Sequence, residues 1–421
     1  MATVLVSFIG TGRLSDNQAT KSNYATTEYC FDFATKQNIT TSIFGAALLE
    51  YLKANGRNVE RWLIMGTAQS IWCDLIEMFG EAKRDEILAA GEDNFNLWSK
   101  LYEESAKRDT SQICQDDLDK WQELLTVNLA NTKAICRLVG TAAKPDSQKK
   151  IFESLLETVE DGNKVVFDVT HGLRNQPIIT SFALMYLRWL RNVTNVELYY
   201  GAFELKGEVV KLDFCQEILE ATEAVAIFEQ TGNFQRIGEQ INLSETFRQN
   251  LETLAFSDEM FRLKPGVAQK VKNELTSQET SLQNEPLKSS LADKLKESLK
   301  WSDENLYAKR LKEKAIREFN HQQYFKAVAS LWEAVLIAGC NKFSLQNLND
   351  KKDRNEAENQ LYDFFKSKTE FDDLRNLEHL RNAVLHGSDS DSRTIRKAVG
   401  NVEEFKKIFE NGLLLIDEIL K

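Results

Sequence analysis

The chain has 421 residues, of which 42% are hydrophobic, 28% are charged and 4 are proline, and its net charge is −11. This length predicts two or three domains, because single hydrophobic cores stop growing at roughly 250–300 residues. The acidic balance argues against a surface that coats nucleic acid, which needs clustered positive charge, but it is compatible with a small phosphate pocket.

Targeting signals and metal sites are not evident in the sequence. The N-terminus lacks the basic flank and cleavage site of a signal peptide, and the longest apolar helical stretch, residues 178–187, is too short to span a bilayer. The six cysteines are scattered without a C-x-x-C pair, which indicates reduced thiols and no zinc site. We therefore expect a cytoplasmic protein without membrane contact and without a metal cofactor.

The first 215 residues have the pattern of an α/β fold. Short β-branched runs predict strands at 3–9, 26–33, 61–65, 164–169, 196–203 and 209–214, the last two as a hairpin. Apolar residues at helical spacing predict helices at 42–53, from about 70, and at 178–191. Residues 82–160 show helical spacing, and we interpret them as a helical insertion at the periphery of the sheet.

From residue 216 onward the sequence contains no convincing strand pattern. Helical periodicity covers 216–262, 286–319, 321–345, 355–385 and 392–420, and the polar stretch at 276–286 is predicted to be a linker. The predicted fold is therefore α/β followed by all-α. We expect one domain at 1–215, a helical connecting region at 216–300 and a second domain at 301–421.

A glycine turn follows the first predicted strand. Small residues such as Gly10, Thr11 and Gly12 at the carboxyl end of a strand let backbone amides approach a phosphate. The glycines, with Asp32 twenty residues past the second, nearly fit the dinucleotide-binding fingerprint. That fold needs a helix before the acidic residue, whereas residues 13–25 are polar and lack helical spacing. We therefore predict a loop there and not a hydride-transfer enzyme.

Two further predicted strands end in polar groups. Residues 65–70 repeat the strand–glycine–hydroxyl pattern, and DVTHGLRN at 168–175 follows a later strand. Because the carboxyl ends of parallel strands meet at one sheet edge, we expect the three loops to form one pocket rich in hydroxyls, amides and one arginine. Such a pocket suits phosphates and nucleobase edges. Each loop alone also fits an ordinary tight turn, and His171 also fits a cap on the following helix.

A second constellation lies near the C-terminus, where Arg381 and Asn382 precede His386. A histidine can donate or accept a proton near neutral pH, and the planar guanidinium of an arginine can bind a phosphate. The two side chains therefore supply the minimal groups for cleaving RNA without a metal. R-x4-H alone is a weak signal, because any helix can carry it by chance. His321 and His379 lack metal-ligand partners at helical spacing, which favours structural roles for both.

These motifs together resemble the CRISPR-associated DxTHG-motif proteins, which are CARF-domain ribonucleases with a C-terminal HEPN domain. The resemblance rests on VLVSFIGTG at 4–12, DVTHGLRNQP at 168–177 and RNAVLH at 381–386, in matching order and separation. Residues 83–160 and 216–300 are assigned by position only. The resemblance implies a Rossmann-like CARF domain with a helical insertion, followed by an all-helical HEPN domain.

The resemblance also implies a function. The CARF domain would bind cyclic oligoadenylate, with cyclic tetra-adenylate favoured, and activate metal-independent cleavage of single-stranded RNA in type III CRISPR antiviral defence. A homodimer or higher even oligomer is implied as well. Carried over by motif, the catalytic residues are Arg381, Asn382 and His386, with no metal ligand. The candidate ligand contacts are Gly10, Thr11, Gly12, Thr67, Ser70, Thr170, His171, Gly172, Arg174 and Asn175.

Two alternatives stay open at the level of sequence. The CARF domain could be a ring nuclease that degrades the cyclic oligoadenylate itself, alone or alongside RNA cleavage. The chain could also be a non-catalytic cyclic nucleotide sensor whose HEPN bundle recruits a partner. Product analysis of the ligand distinguishes the first alternative, and an RNA cleavage assay with ligand and chelator distinguishes the second.

Overall fold

The computed structural model describes residues 2–12, 24–33, 35–107, 110–348, 350–387 and 390–421. The chain divides into two compact units, Met1–Glu217 and Ile218–Lys421, called here the N-terminal unit and the helical unit. The loop predicted at 13–25 lies outside the described residues except for its last two positions. In the described parts of the chain, no helix is both long and apolar enough to cross a membrane.

The N-terminal unit is an α/β fold. In chain order it contains β1 (Thr3–Phe8), β2 (Thr27–Asp32), β3 (Lys36–Thr41), α1 (Phe44–Ala54), β4 (Val59–Gly66), a 3-10 helix (Trp72–Phe79), α2 (Glu81–Ala89), α3 (Glu92–Ala106), α4 (Gln115–Asn128), β5 (Lys133–Leu138), α5 (Pro145–Thr158), β6 (Lys164–Asp168), α6 (Asn175–Leu190), β7 (Asn195–Ala202), a 3-10 turn (Phe203–Leu205) and β8 (Glu208–Lys211). The strands form one sheet in the order β3-β2-β8-β7-β6-β1-β4-β5.

The centre of this sheet is parallel, with β1 paired to β4 on one side and to β6 on the other. All six residues of β1 are buried, because helices cover both faces of the sheet. Val4, Val6 and Phe8 pack in the hydrophobic cluster that includes α5 and α6, while Leu5 packs in the cluster that includes α1 and α4. The parallel arrangement brings the carboxyl ends of β1, β4, β5, β6 and β7 to one edge.

Two parts of the sheet differ from the sequence-based prediction. Residues 82–160 are not a purely helical insertion, because β5 within them pairs in parallel with β4 and forms an edge strand of the sheet. The strand β3, which pairs antiparallel with β2, was not predicted at all. Both strands are short and lie at opposite edges of the sheet, so their pairing depends on distant partners and leaves little local pattern. The predicted hairpin is confirmed as β7–β8.

The helical unit contains no strand among its described residues, as predicted. The helix α7 (Asp213–Thr231) begins in the N-terminal unit and continues into the helical unit. The helical unit then contains, in chain order, α8 (Gln235–Ile241), α9 (Glu245–Glu259), α10 (Pro265–Ser277), α11 (Glu279–Gln283), α12 (Pro286–Ser298), a 3-10 helix (Lys300–Asp303), α13 (Tyr307–Asn320), α14 (Tyr324–Lys342), α15 (Lys351–Phe365), α16 (Phe371–His386), α17 (Arg393–Gly400) and α18 (Val402–Ile419). One hydrophobic cluster joins α7 to α12 and another joins α13 to α18.

Four predicted boundaries in this part of the chain are wrong. The linker predicted at 276–286 is mostly helical, because Leu282 is buried and anchors the short helix α11 in the hydrophobic cluster. The helix predicted over 355–385 is two helices, α15 and α16, and that over 392–420 is α17 and α18. Phe214, predicted to end the last strand, lies in the first turn of α7. Helical periodicity continues across such short breaks, so it does not locate them.

Candidate functional site

The carboxyl edge of the sheet encloses a cavity of about 500 Å³. Eight of the ten residues predicted to contact a ligand line this cavity. They are Gly10, Thr11 and Gly12 after β1, Thr67 and Ser70 after β4, and Thr170, His171 and Gly172 after β6. The three loops therefore converge as their position at the ends of parallel strands predicts.

The loops after β1 and β4 are joined by hydrogen bonds of the Ser70 hydroxyl. Its Oγ donates to the carbonyl oxygen of Ile9 at 2.7 Å and accepts the N–H of Thr67 at 2.9 Å. A Cβ on Gly66 would lie 2.6 Å from the Ile9 side chain and 2.7 Å from Trp72, so only glycine fits there. Ser70 is buried, and its role in the structure is to hold the two loops together.

Side chains of the loop after β6 hold this loop in place by accepting hydrogen bonds from backbone N–H groups. Asp168 Oδ1 accepts the N–H of Thr170 at 2.7 Å, and Thr170 Oγ1 accepts the N–H of Gly201 in β7 at 2.8 Å. His171 Nε2 accepts the N–H of Phe44 at the start of α1 at 3.0 Å. The motif thus connects β6 to β7 and to α1. His171 receives a helix N-terminal amide, so its capping role concerns α1 and not the helix that follows it in sequence.

The titratable groups of this loop have strongly shifted pKa values. Burial lowers the pKa of His171 to about 4, so its imidazole is neutral near pH 7 and its Nε2 is free of a proton to accept the amide. Burial raises the pKa of Asp168 to about 7 against the opposing hydrogen bonds from Thr170. Asp168 Oδ2 is buried and has no hydrogen-bond partner among the described residues. His171 lines the cavity and, as a neutral ring with an unprotonated Nε2, carries its proton on Nδ1, whereas Asp168 is not among the lining residues.

The cavity wall combines hydroxyl and amide side chains with apolar ones. Among the described residues that line it there is no lysine, arginine, aspartate or glutamate. An anionic ligand would therefore meet backbone amides, hydroxyls and the neutral His171, which bind phosphate oxygens through hydrogen bonds. This wall differs from the predicted pocket with one arginine.

Two predicted contacts do not line the cavity. Arg174 is exposed at the N-cap of α6, and the Asn175 amide donates to the carbonyl oxygens of Thr141 and Ala142 at 3.2 and 3.1 Å. Several residues that line the cavity were not predicted as ligand contacts from the sequence. They are Thr27, Tyr29, Ser42, Gln69, Thr141, Gln176 and Phe203. Thr141 follows β5, so recognising that strand would have identified it.

The second constellation lies on α16. Arg381 is half-buried and its Nη1 donates to Oδ1 of Asn382 at 2.7 Å, while His386 is exposed in the last turn before Gly387. No carboxylate in the described parts of the chain lies within ion-pair distance of Arg381. Arg381 and His386 are five residues apart on one helix, so they point about 140° away from each other. A half-buried arginine without an ion-pair partner is available to an anion.

The remaining histidines are placed differently. His321 Nδ1 lies 2.6 Å from the carbonyl oxygen of Glu229, which supports its predicted structural role. His379 lines a shallow cavity together with Asn382. Over the described ranges, no group of three or more histidine, cysteine, aspartate or glutamate residues is placed to hold a metal ion.

Comparison with known proteins finds one family and two proteins that are similar to this chain. Residues 4–211 match the model of a family described as the CARF domain of the CRISPR system endoribonuclease Csx1. The CRISPR-associated protein MJ1674 of Methanocaldococcus jannaschii is 26% identical in an alignment of 249 residues that covers 55% of this chain and 37% of that protein. The solved structure of Enterococcus italicus Csm6 bound to cyclic hexa-2'-fluoro-hexa-dAMP aligns with 100% of this chain and 94% of its own, at 11% identity and a TM-score of 0.38.

Proposed function

Because the chain belongs to the CARF-containing CRISPR-associated proteins, we propose that it is a ribonuclease activated by a cyclic oligoadenylate that binds in the cavity of the N-terminal unit. The observation that carries the sensor role is the convergence of three strand-end loops on one hydroxyl-rich cavity, whose described lining residues include no lysine, arginine, aspartate or glutamate. Such a wall suits a ligand whose phosphates are spread around a ring and whose bases present hydrogen-bonding edges. Cyclic tetra-adenylate is the favoured ring.

The ribonuclease role rests on α16, in an all-helical domain of the HEPN type. Arg381 would bind the scissile phosphate and stabilise the charge that develops on it, and Asn382, hydrogen-bonded to Arg381, would orient it. The ribose 2′-oxygen forms a bond to the adjacent phosphorus while the bond from phosphorus to the 5′-oxygen breaks. His386 would take the proton of the 2′-hydroxyl or give one to the leaving oxygen. The products are a 2′,3′-cyclic phosphate and a 5′-hydroxyl.

A homodimer is part of the proposal. One copy of α16 directs its arginine and histidine to different sides of the helix, so a two-fold axis that adds a second copy would supply a phosphate clamp and an acid–base pair together. A cavity of about 500 Å³ suits a drug-sized ligand and is small for a whole cyclic tetra-adenylate. The same axis would let the ring contact equivalent loops of both chains.

The chemistry of the cavity favours binding of the cyclic ligand over its cleavage. His171 is neutral, and its Nε2 is engaged with α1, so it is a poor proton shuttle. We therefore expect cyclic tetra-adenylate to be recovered intact after incubation with the protein. Accumulation of linear or shorter adenylates would establish the ring-nuclease alternative.

Cleavage of single-stranded RNA by the full chain, with cyclic tetra-adenylate and excess chelator, tests the proposal. His386→Ala should lower the cleavage rate by about 10²–10⁴-fold, because it removes general acid–base help. His321→Gln should cleave like the wild type, because that imidazole contacts the backbone of Glu229 at another place in the helical unit. Full activity of His386→Ala, or a strict need for a divalent metal, would contradict the assignment.

Binding assays with cyclic tri-, tetra- and hexa-adenylate determine the ring size. Tight binding without any RNA cleavage would favour the alternative of a non-catalytic sensor.

A further inference from the structure

A separate cavity of the helical unit lies against Arg381. It encloses about 330 Å³ and is lined by the turn after α9 and by residues of α13, α14, α15 and α16. Aromatic side chains and arginines together form much of its wall. Sites for single-stranded nucleic acid use this combination, with aromatic rings for the bases and cations for the phosphates.

Two phenylalanines give the cavity an aromatic surface. Phe325, in the first turn of α14, is 48% exposed although it is large and apolar. Phe261 has a φ of +53°, a left-handed conformation that bulky residues rarely adopt and that clusters at functional sites. Lys314 Nζ lies 5.3 Å from the centroid of the Phe261 ring and is itself held by Asp258 at 3.0 Å and Glu318 at 2.7 Å. Phe261 is therefore a fixed platform, and Phe325 is an exposed ring beside it.

Three arginines line the cavity: Arg262, Arg354 and Arg381. Nε of Arg354 donates to the carbonyl oxygen of Leu348 at 2.9 Å, and Nη1 lies 2.8 Å from Oε2 of Glu333. These contacts fix the guanidinium, and they leave Nη2 without a partner in the described parts of the chain. Arg354 and Arg381 together line this cavity and also the adjoining one of about 300 Å³. A phosphate at this place would meet the planar guanidinium groups of Arg354 and Arg381, while Glu333 lines the first cavity and Glu358 and Glu378 line the second.

Tyr307 completes the aromatic wall. Burial raises the pKa of its phenol, against the opposing positive charge of Arg354. The phenol is therefore neutral near pH 7, and its hydroxyl has no hydrogen-bond partner among the described residues. It is available to the polar edge of a base.

We propose that this cavity is the base-binding subsite of the RNA-cleavage site, where an unpaired nucleobase next to the scissile phosphate stacks on Phe325 and Phe261 while Arg354 joins Arg381 at the phosphate. This proposal rests on the proposed ribonuclease function, and it specifies which residues contact a base of the RNA substrate. Every base has a π-face, so such a subsite selects single-stranded RNA over duplex more than it selects a sequence.

Variants at Phe325 test the stacking contact in the ligand-activated full chain. Phe325→Leu keeps apolar volume but removes the ring, and kcat/KM for a short single-stranded RNA should fall roughly 5- to 150-fold. Phe325→Tyr should retain activity, because it keeps the ring. Phe256→Leu is the matched control, since Phe256 is 66% exposed in the same unit and does not line the cavity. Equal activity of Phe325→Leu and Phe256→Leu would overturn the subsite.

The substrate can be varied in parallel with the protein. An RNA with an abasic residue beside the cleaved bond should lower the wild-type kcat/KM by about the same factor as Phe325→Leu. In Phe325→Leu the abasic residue should have little further effect, because one stacking contact cannot be lost twice. Full additivity of the two losses would show that the base and the ring do not meet.

Binding to the cleavage-deficient His386→Ala chain separates this proposal from the ribonuclease function. With labelled single-stranded RNA, Phe325→Leu should weaken binding without changing its salt dependence. Arg354→Gln should reduce the slope of log K against log salt concentration by about 0.7, the value for one lost phosphate contact. If these changes occur in a chain whose wild type does not cleave RNA, the ribonuclease function fails and the cavity stands as a binding site for single-stranded RNA. If affinity and slope are unchanged in both variants, the subsite is overturned whatever the activity.

Discussion

Asp168 and His171 lie three residues apart, and burial shifts their pKa values in opposite directions, to about 7 and about 4. For Asp168 the folded pKa lies above that of the unfolded chain, so its favourable contribution is present at low pH and is lost as pH rises towards 7. For His171 the folded pKa lies below the unfolded one, so its contribution is present above about pH 6.5 and is lost as pH falls towards 4. The two effects oppose each other between pH 4 and pH 7.

When one of the two residues is replaced, only the other of this pair still changes the stability of the protein with pH. Asp168→Asn keeps an oxygen for the Thr170 amide but cannot ionise, so its stability relative to wild type should increase from pH 4 to pH 7. His171→Gln keeps an acceptor for Phe44 but cannot be protonated, so its relative stability should decrease over the same range. Each unit of pKa shift corresponds to about 1.4 kcal/mol. Urea unfolding at several pH values measures both differences, and variant curves parallel to wild type would contradict the shifted pKa values.

At the scale of elements, the loop between β6 and α6 depends on a glycine. Gly172 has a φ of +95°, and a Cβ there would lie 2.8 Å from Oε1 of Gln176 and 3.0 Å from Cβ of Phe8. Gln176 cannot easily move, because its Oε1 accepts the N–H of Leu173 and its Nε2 donates to the carbonyl oxygen of Gly140. Glycine is therefore needed at position 172 both because φ is positive there and because a Cβ has no room.

Gly172→Ala should destabilise the protein more than Gly162→Ala does. Gly162 has a similar φ of +74° but open space around its Cβ position, so its variant loses only about 1–2 kcal/mol for the left-handed backbone. Gly172→Ala should lose more than that and should also weaken binding of cyclic tetra-adenylate, because the Thr170 and His171 positions shift. Thermal unfolding measures the loss of stability, and calorimetric titration measures the binding of cyclic tetra-adenylate. Equal stability losses would show that the loop tolerates the added methyl group.

At the scale of the whole molecule, the outer face of α6 carries a stripe of exposed apolar residues. Ile178, Phe182, Tyr186 and Trp189 are 58%, 66%, 56% and 61% exposed and follow one another at helical spacing. Soluble monomers rarely expose contiguous apolar patches of this kind. The stripe continues directly from the loop that lines the cavity, so we expect it to contribute to the contact between the two chains of the proposed homodimer.

Phe182→Glu should shift the protein from dimer to monomer at micromolar concentration and weaken binding of cyclic tetra-adenylate in parallel. A buried carboxylate at a symmetric contact would face its own copy, which is strongly unfavourable without a partner cation. Val127→Glu serves as the control, because Val127 is 85% exposed elsewhere in the same unit and outside the stripe. Light scattering measures the mass. A dimeric Phe182→Glu, or a monomeric wild type with full activity, would contradict this role of the stripe.

Local sequence determined much of this protein. Buried β-branched runs identified β1, β4 and β6, since both faces of a central parallel strand are covered and most of its residues are apolar. The glycines, hydroxyls and histidine at the ends of these strands identified eight residues of the cavity wall. The absence of strand patterns after residue 216 predicted the helical unit, and the fold class is confirmed.

Tertiary structure decided the features that depend on residues far apart in sequence. The edge strand β5 exists because β4 pairs with it, and α11 exists because Leu282 is buried in a cluster built by other helices. The partner of His171 is Phe44, 127 positions away, so no local pattern could reveal that Nε2 is already engaged. The aromatic cavity beside Arg381 draws on residues from 260 to 385. Periodicity reports the burial of one segment, whereas pairing, hydrogen bonding and cavities are properties of several segments in contact.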